Sequence, residues 1–335
     1  MKQTKKWLDD VRACDRKKAM PVLSFPSISL MGITVRELIA DSDLQAKGMK
    51  MIADRVNSAA SVSIMDLSVE AEAFGSEIRF SDDEVPTVVG SILSSEDEAR
   101  ELRIPNVGDA RTGRYVEAIG RAKRLICDRP VFAGSIGPFS LAGRLMDVSQ
   151  AMLNCYDEPD MVHTTMQKAT DFLISYIRAY RDVGANGVVI AEPLTGILSP
   201  NLAEEFSSPY VKQIVDAVQN EDFCVIYHNC GNNTILMIDS ILSTGADAFH
   251  FGNSISMKEM MTHIPSDIVA MGNVDPSSQF RNGTPESIKA ETKRIMSECS
   301  GYKNFVISSS CDVPPLSPWE NIDAFFAAVD EFYLL

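Results

Sequence analysis

His228 and Cys230 stand two residues apart, and a third soft donor, Cys311, follows another short apolar run. Side chains at i and i+2 of an extended segment point to one face, so the imidazole and the first thiol are aimed together. Imidazole with two thiolates is a donor set for zinc. Three protein ligands leave the fourth tetrahedral position open, as in catalytic rather than structural sites. A polar strand terminus with a buried thiol shows the same spacing, so His-x-Cys by itself leaves both readings standing. The other thiols, Cys14, Cys127, Cys155, Cys224 and Cys299, read as core or surface filler, with Cys224 in interior packing. His250, in Phe249-His250-Phe251, reads as a wall residue with its hydrogen bonds satisfied, and His163 and His263 fall on helices. Seven scattered cysteines do not resemble a disulfide framework.

The elements that must position these donors alternate along the chain. Short apolar or β-branched runs predict strands at 21–25, 61–67, 131–136, 187–191, 223–228, 248–252, 268–272 and 305–309. Helical periodicity lies between them, at 35–56, 111–127, 159–183, 200–218, 234–243, 257–263, 285–299 and 318–332. Pro200, Pro285 and Pro318 follow Ser199, Thr284 and Ser317, the order of an N-cap and a first-turn proline. Gly184, Gly245 and Gly301 fall just past helix ends, where a left-handed residue commonly closes the last turn. Strand alternating with helix eight times predicts an α/β fold, a (β/α)8 TIM barrel. A doubly wound sheet is the alternative, but no Gly-x-Gly-x-x-Gly follows the first strand. The expected organisation is one barrel domain over 1–335, with a helical N-terminal extension over about 1–20 and an elaborated loop over about 70–105 after the second strand.

Barrel chemistry sits at the C-terminal strand ends. There the sequence places Asp66 and Glu70, Ser135 and Pro138, Glu192, His228 and Cys230, Asn253, Asn273 and Asp275, then Cys311 and Asp312. Glu192 is expected in catalysis, as a displaceable fourth ligand or as a carboxylate orienting one; a capping glutamate is the other reading. Glu70, Asn273 and Asp275 are expected to line the mouth and contact substrate.

Composition narrows the partners. The 335 residues carry 31 Lys plus Arg against 46 Asp plus Glu, a net charge of −15. That sign opposes a phosphate backbone, so no nucleic-acid partner is expected. No apolar run reaches the roughly 18 residues a membrane helix needs, and the charged start is unlike a signal peptide, so a cytoplasmic location and no membrane partner are expected.

Several stretches together carry a likeness: Asp66-Leu-Ser-Val-Glu-Ala-Glu-Ala-Phe-Gly75, Gly137-Pro138-Phe139, Ala191-Glu192-Pro193, His228-Asn229-Cys230-Gly231, Gly272-Asn273-Val274-Asp275-Pro276, Gly283-Thr284-Pro285, Cys311-Asp-Val-Pro-Pro315 and Pro318-Trp-Glu-Asn-Ile322. With them the chain resembles the uroporphyrinogen decarboxylase superfamily, and within it the zinc-dependent methylcobamide:coenzyme M methyltransferase branch. The resemblance implies a barrel and one Zn2+ per chain held by His228, Cys230 and Cys311. It also implies methyl transfer from a methylcobamide, presented by a partner corrinoid protein, to a small thiol such as coenzyme M through a zinc-bound thiolate. No Asp-x-His-x-x-Gly is present, so the corrinoid must come on the partner; the acidic balance suggests a docking surface for it, and a homodimer is compatible with this picture.

Two other functions remain open on the sequence. One is uroporphyrinogen decarboxylase itself, against which the region Pro21-Val-Leu-Ser-Phe-Pro-Ser-Ile-Ser-Leu30 lacks the arginines that a polycarboxylate substrate would want. The other is a zinc-stabilised protein that binds a corrinoid or thiol without turnover. A sulfonate-bearing acceptor would need a cation near the mouth, and Arg36, Arg79, Arg144 and Arg281 are the candidates.

Overall fold

β-branched and apolar runs bounded by small residues form the strands of this computed structural model, which describes residues 4–334. The strands are β1 (Ser61–Val62), β2 (Glu77–Arg79), β3 (Thr87–Val89), β4 (Val131–Ile136), β5 (Gly187–Ala191), β6 (Cys224–Asn229), β7 (Ala248–Phe251), β8 (Val269–Val274) and β9 (Phe305–Ser309). All but β2 and β3 join one parallel sheet in the order β1-β4-β5-β6-β7-β8-β9, with helix in every crossover. The result is a (β/α)8 barrel whose eighth stave is irregular.

That stave is the run expected as the strand 21–25, and it forms no regular ladder. Pro21 and Pro26 lack the N–H that a ladder needs. The segment still closes the gap between β9 and β1. Met20 N–H donates to the Ile307 carbonyl at 3.0 Å, and Val22 N–H donates to Ser309 Oγ at 3.0 Å. On the other side Ala59 N–H donates to the Ala19 carbonyl at 2.8 Å, and Ser24 Oγ donates to the Val62 carbonyl at 2.5 Å. β1 is shorter than the expected 61–67 for a related reason: beyond Val62 the chain leaves the ladder, and Met65 N–H donates to Asp312 Oδ2 at 3.1 Å instead.

Alternation along each strand separates two apolar layers. Val189, Ala191, Cys224, Ile226, Met271 and Val306 pack with Phe132 inside the barrel, while Val188, Ile190, Val225 and Tyr227 join the core beneath the helices. Both faces are buried, which is why these strands read as continuous apolar runs. Helix Thr4–Ala13, the described part of the expected N-terminal extension, plugs the end opposite the strand C-termini; residues 1–3 of that extension lie outside the described residues. Its Trp7 packs on Phe132 with ring centroids 5.4 Å apart, and Lys5 N–H donates to the Glu221 carbonyl ahead of β6.

Helices Pro159–Asp182, Pro285–Cys299 and Trp319–Phe332 lie where periodicity placed them. The run 35–56 instead breaks at Asp41, whose carboxylate accepts from Asp43 N–H at 2.7 Å and Leu44 N–H at 3.0 Å and so starts a second helix, Ser42–Arg55. The run 200–218 breaks at Ser207. Gly184 and Gly245 take the left-handed conformation, whereas Gly301 is not among the glycines with positive φ. The elaborated loop after β1 holds helices Val69–Phe74 and Glu96–Glu101 and the antiparallel β2–β3 hairpin.

Candidate active site

His228, the penultimate residue of β6, is in register with Ala191 on β5 and His250 on β7, on the face that Cys224 and Ile226 present to the barrel interior. Burial drives its pKa down to about 4, so the imidazole is neutral near neutral pH. Its Nδ1 lies 2.7 Å from His250 Nδ1, while its Nε2 is buried without a partner among the described residues. His250 bonds through its other nitrogen to Ser308 Oγ at 2.8 Å, so both its nitrogens are satisfied, as a wall residue requires.

Cys230 follows β6, and its backbone is gripped from two sides. A side-chain carbon at Gly252 would collide with Cys230 Cβ, and one at Gly196 would collide with its carbonyl. Burial pushes the Cys230 thiol up to about 11. Cys311, just past β9, keeps an exposed surface at the mouth, yet the protein crowded around it desolvates the thiol and, with the charge of neighbouring Cys230, raises its pKa. Both thiols are therefore protonated at neutral pH unless a cation joins them. Among the described residues no three His, Cys, Asp or Glu side chains converge as a preformed metal cluster. The donor types nevertheless suit zinc, and the orphaned His228 Nε2 is a buried lone pair with no other use.

Glu192 turns to the helix layer. Its carboxylate accepts from Phe139 N–H at 2.9 Å and Ser140 N–H at 2.7 Å, at the start of helix Pro138–Met146, and from Ser207 Oγ at 3.4 Å. A side-chain carbon at Gly137 would strike it. This occupies both oxygens in a capping role, and a helix N-terminus favours the charge, although burial still holds its pKa up to about 7.

Asn273 donates from Nδ2 to the Gly252 and Ile255 carbonyls, both at 2.9 Å, which braces the loop after β7. Asp275 accepts from Ser277 N–H at 2.8 Å and Ser278 N–H at 3.1 Å, capping the turn Pro276–Arg281. Glu70 is fully enclosed at the mouth. Its Oε1 accepts from Ile136 N–H and Ser135 Oγ, both at 3.1 Å, and its Oε2 has no partner among the described residues.

Burial raises Glu70 to about 7, so between pH about 4.5 and 7 the folded protein keeps a proton there that the unfolded chain has released. Its contribution to stability therefore falls as pH rises through that window. Glu70→Gln, which fixes the neutral form, is expected to gain on the wild type by about 1.4 kcal/mol per pH unit there. Denaturant melts at several pH values check this; parallel curves for the two proteins would refute it.

Sequence reasoning missed a charged network beside the mouth. Arg111, 4% exposed, pairs with Asp66 and Glu72, and its NH2 donates to Ser68 Oγ at 2.8 Å. Asp66 also accepts from Tyr115 OH at 2.7 Å and Ser68 Oγ at 2.6 Å. Asp66 stood out as a strand-end residue; Arg111 and Tyr115 carried no signal. Of the four candidate cations, Arg36 pairs with Asp82, Arg281 bonds the Leu316 carbonyl and Arg79 is exposed. Arg144 is half-buried, lies within range of the Asp66 and Glu70 charges, and makes no ion pair or hydrogen bond among the described residues.

Comparison with known proteins agrees with this architecture. Methylcobamide:CoM methyltransferase MtbA of Methanosarcina acetivorans is 26% identical over 263 residues, 77% of this chain and 75% of the relative. Uroporphyrinogen decarboxylase of Chlorobium luteolum is 30% identical over 246 residues, 71% of this chain and 68% of the relative. A solved methyltransferase from Methanosarcina mazei superposes with a TM-score of 0.84 at 24% identity, covering 99% of this chain and 100% of that one, a likeness of fold. The family described as "Uroporphyrinogen decarboxylase (URO-D)" matches residues 17–332, and with nearly the whole barrel inside that match the chain belongs to this family.

Proposed function

We propose that this single-barrel protein is a methyltransferase that moves a methyl group from a methylated corrinoid on a partner protein to a small thiol. The observation that carries the reading is the bare, buried His228 Nε2 at the mouth, with Cys230 on the loop after β6 and Cys311 on the loop after β9. His228, Cys230 and Cys311 would hold zinc. When bound, zinc would supply the positive charge that keeps a thiol acceptor deprotonated at neutral pH.

In the transfer the acceptor sulfur supplies the electron pair of the new S–CH3 bond. The Co–C bond breaks with its pair left on cobalt, which passes from Co(III) to Co(I), and the thiol proton goes to solvent. Such a displacement needs alignment more than proton traffic. Glu192 acts here as a positioning residue, holding helix Pro138–Met146 by its N-terminus and so placing Arg144. Arg144 would receive an anionic group on the acceptor, because it makes no ion pair among the described residues and Asp66, one of the two carboxylates in range of it, is already paired with Arg111. Exposed Ile197, Leu236 and Leu316, on loops after β5, β6 and β9, offer apolar contact to the corrinoid partner.

The test is zinc analysis of the purified chain together with demethylation of methylcobalamin by anionic and neutral thiols. One zinc per chain and faster reaction with the anionic thiol are expected. Absence of zinc and of thiol-dependent demethylation would end this reading, and conversion of uroporphyrinogen in the presence of a chelator would replace it with the decarboxylase.

A further inference from the structure

A chain of hydrogen bonds crosses the barrel interior beneath the mouth, and its direction can be deduced from one end. Ser308 Oγ lies 2.7 Å from the Met20 carbonyl oxygen and 2.8 Å from His250 Nε2. A carbonyl oxygen only accepts, so the single hydroxyl hydrogen of Ser308 points to Met20. His250 Nε2 therefore carries a hydrogen and donates it to Ser308 Oγ. A neutral imidazole has one N–H, which leaves His250 Nδ1 bare. His228 Nδ1 lies 2.7 Å from it, too close for two bare nitrogens, so His228 Nδ1 carries the hydrogen. What remains is His228 Nε2, buried, without a partner and stripped of its proton.

The opposite direction fails at both ends. It would set two oxygen lone pairs against each other between Ser308 and Met20, and it would leave a buried His228 Nε2–H with no acceptor. A cationic His228 would strand the same N–H. We infer that His250 and Ser308, anchored on the Met20 carbonyl, are positioning residues that fix His228 in the tautomer with a free Nε2 lone pair aimed at a metal. The inference deepens the proposed function, because it rests on reading His228 as a metal ligand. Metal-binding histidines elsewhere are oriented through their second nitrogen by a carboxylate, carbonyl or water; here a second imidazole and a hydroxyl take that place.

Long-range 15N–1H correlation spectra of the metal-free full chain, labelled at histidine, read the tautomers directly at neutral pH. His228 is expected with Nδ1–H and bare Nε2, and His250 with Nε2–H. In Ser308→Ala the His228 signature is expected to become mixed, and zinc affinity, measured by competition with a chromogenic chelator, to fall about 10- to 100-fold. Ser308→Thr, which keeps the hydroxyl, is expected to retain both. A metal-free wild type with His228 as Nε2–H overturns the inference even if Ser308→Ala fails to fold. So does Ser308→Ala with unchanged tautomer and affinity. A wild type that binds no zinc yet shows the expected tautomers leaves the relay standing and removes the functional reading instead.

Discussion

Cys311→Ser is expected to lose bound zinc and thiol-dependent demethylation of methylcobalamin together. Only His228 and Cys230 would remain as donors, and a serine hydroxyl, far less acidic than a thiol, stays protonated where the native thiol pKa is already raised. Without the metal the acceptor must ionise unaided. A thiol of pKa about 8.5 is only about 1% thiolate at pH 6.5, so the rate should fall on the order of 100-fold there and recover partly at alkaline pH. Cys127→Ser, at an exposed thiol on the connection between helix Thr112–Leu125 and the start of β4, should leave metal and rate unchanged. Metal analysis paired with rate against pH reads the outcome. A Cys311→Ser protein with one zinc per chain and the full rate would remove Cys311 from the site.

The largest stability loss is expected from Arg111→Met. Asp66 is fully enclosed, and its partners after this change would be Tyr115 and Ser68 alone. Breaking a buried ion pair from one side commonly costs about 3–5 kcal/mol, because the surviving charge is left uncompensated. The ring faces of Phe80 and Tyr115, 5.1 and 5.8 Å from the guanidinium carbon, lose a cation as well. Adding Asp66→Asn should recover part of the loss, since the stranded charge is then gone. Denaturant midpoints of the two single variants and the double variant decide it. A loss below about 1 kcal/mol in Arg111→Met would show that water reaches Asp66.

Much of the barrel was legible because each stave is a short apolar run and helix starts carry local markers. Thr284 caps Pro285–Cys299 with a reciprocal bond to Ser287, and Ser199 accepts from Leu202 N–H at 3.4 Å. Where such markers conflict with periodicity, reading fails. Asp41 sits inside an apolar repeat yet ends one helix and starts the next, and Trp319 begins a helix whose N-cap is Pro318 rather than Ser317. The β2–β3 hairpin, with three residues a side and mostly exposed, has no buried face to leave a pattern.

The site divides in the same way. His228, Cys230 and Cys311 stood out because their chemistry coincides with strand ends. Glu192 was recognisable as a strand-end acid, but its turn toward helix Pro138–Met146 depends on parity with Ala191, which only the register supplies. Arg111 and Tyr115 reach Asp66 across 45 and 49 residues, and Ser308 reaches His250 across 58. Nothing local in the sequence marks such pairs.

The irregular stave has a consequence in time. Ser308 and its acceptor Met20 are separated by 288 residues, nearly the whole chain. At roughly 5–20 residues per second, synthesis puts about 15–60 s between them. Residues 19–25 leave the ribosome first and wait unpartnered on one side until β9 is made. A nascent chain that has passed Cys230 but stops short of β9 carries His228 and Cys230 and lacks Ser308 and Cys311. The hydroxyl that sets the tautomer and the last thiol thus arrive together, one on β9 and the other just past it. A chain stopped there holds two of the three proposed donors, with its histidine free to take either proton arrangement, so on the proposed function capture of metal would be deferred until the barrel can shut.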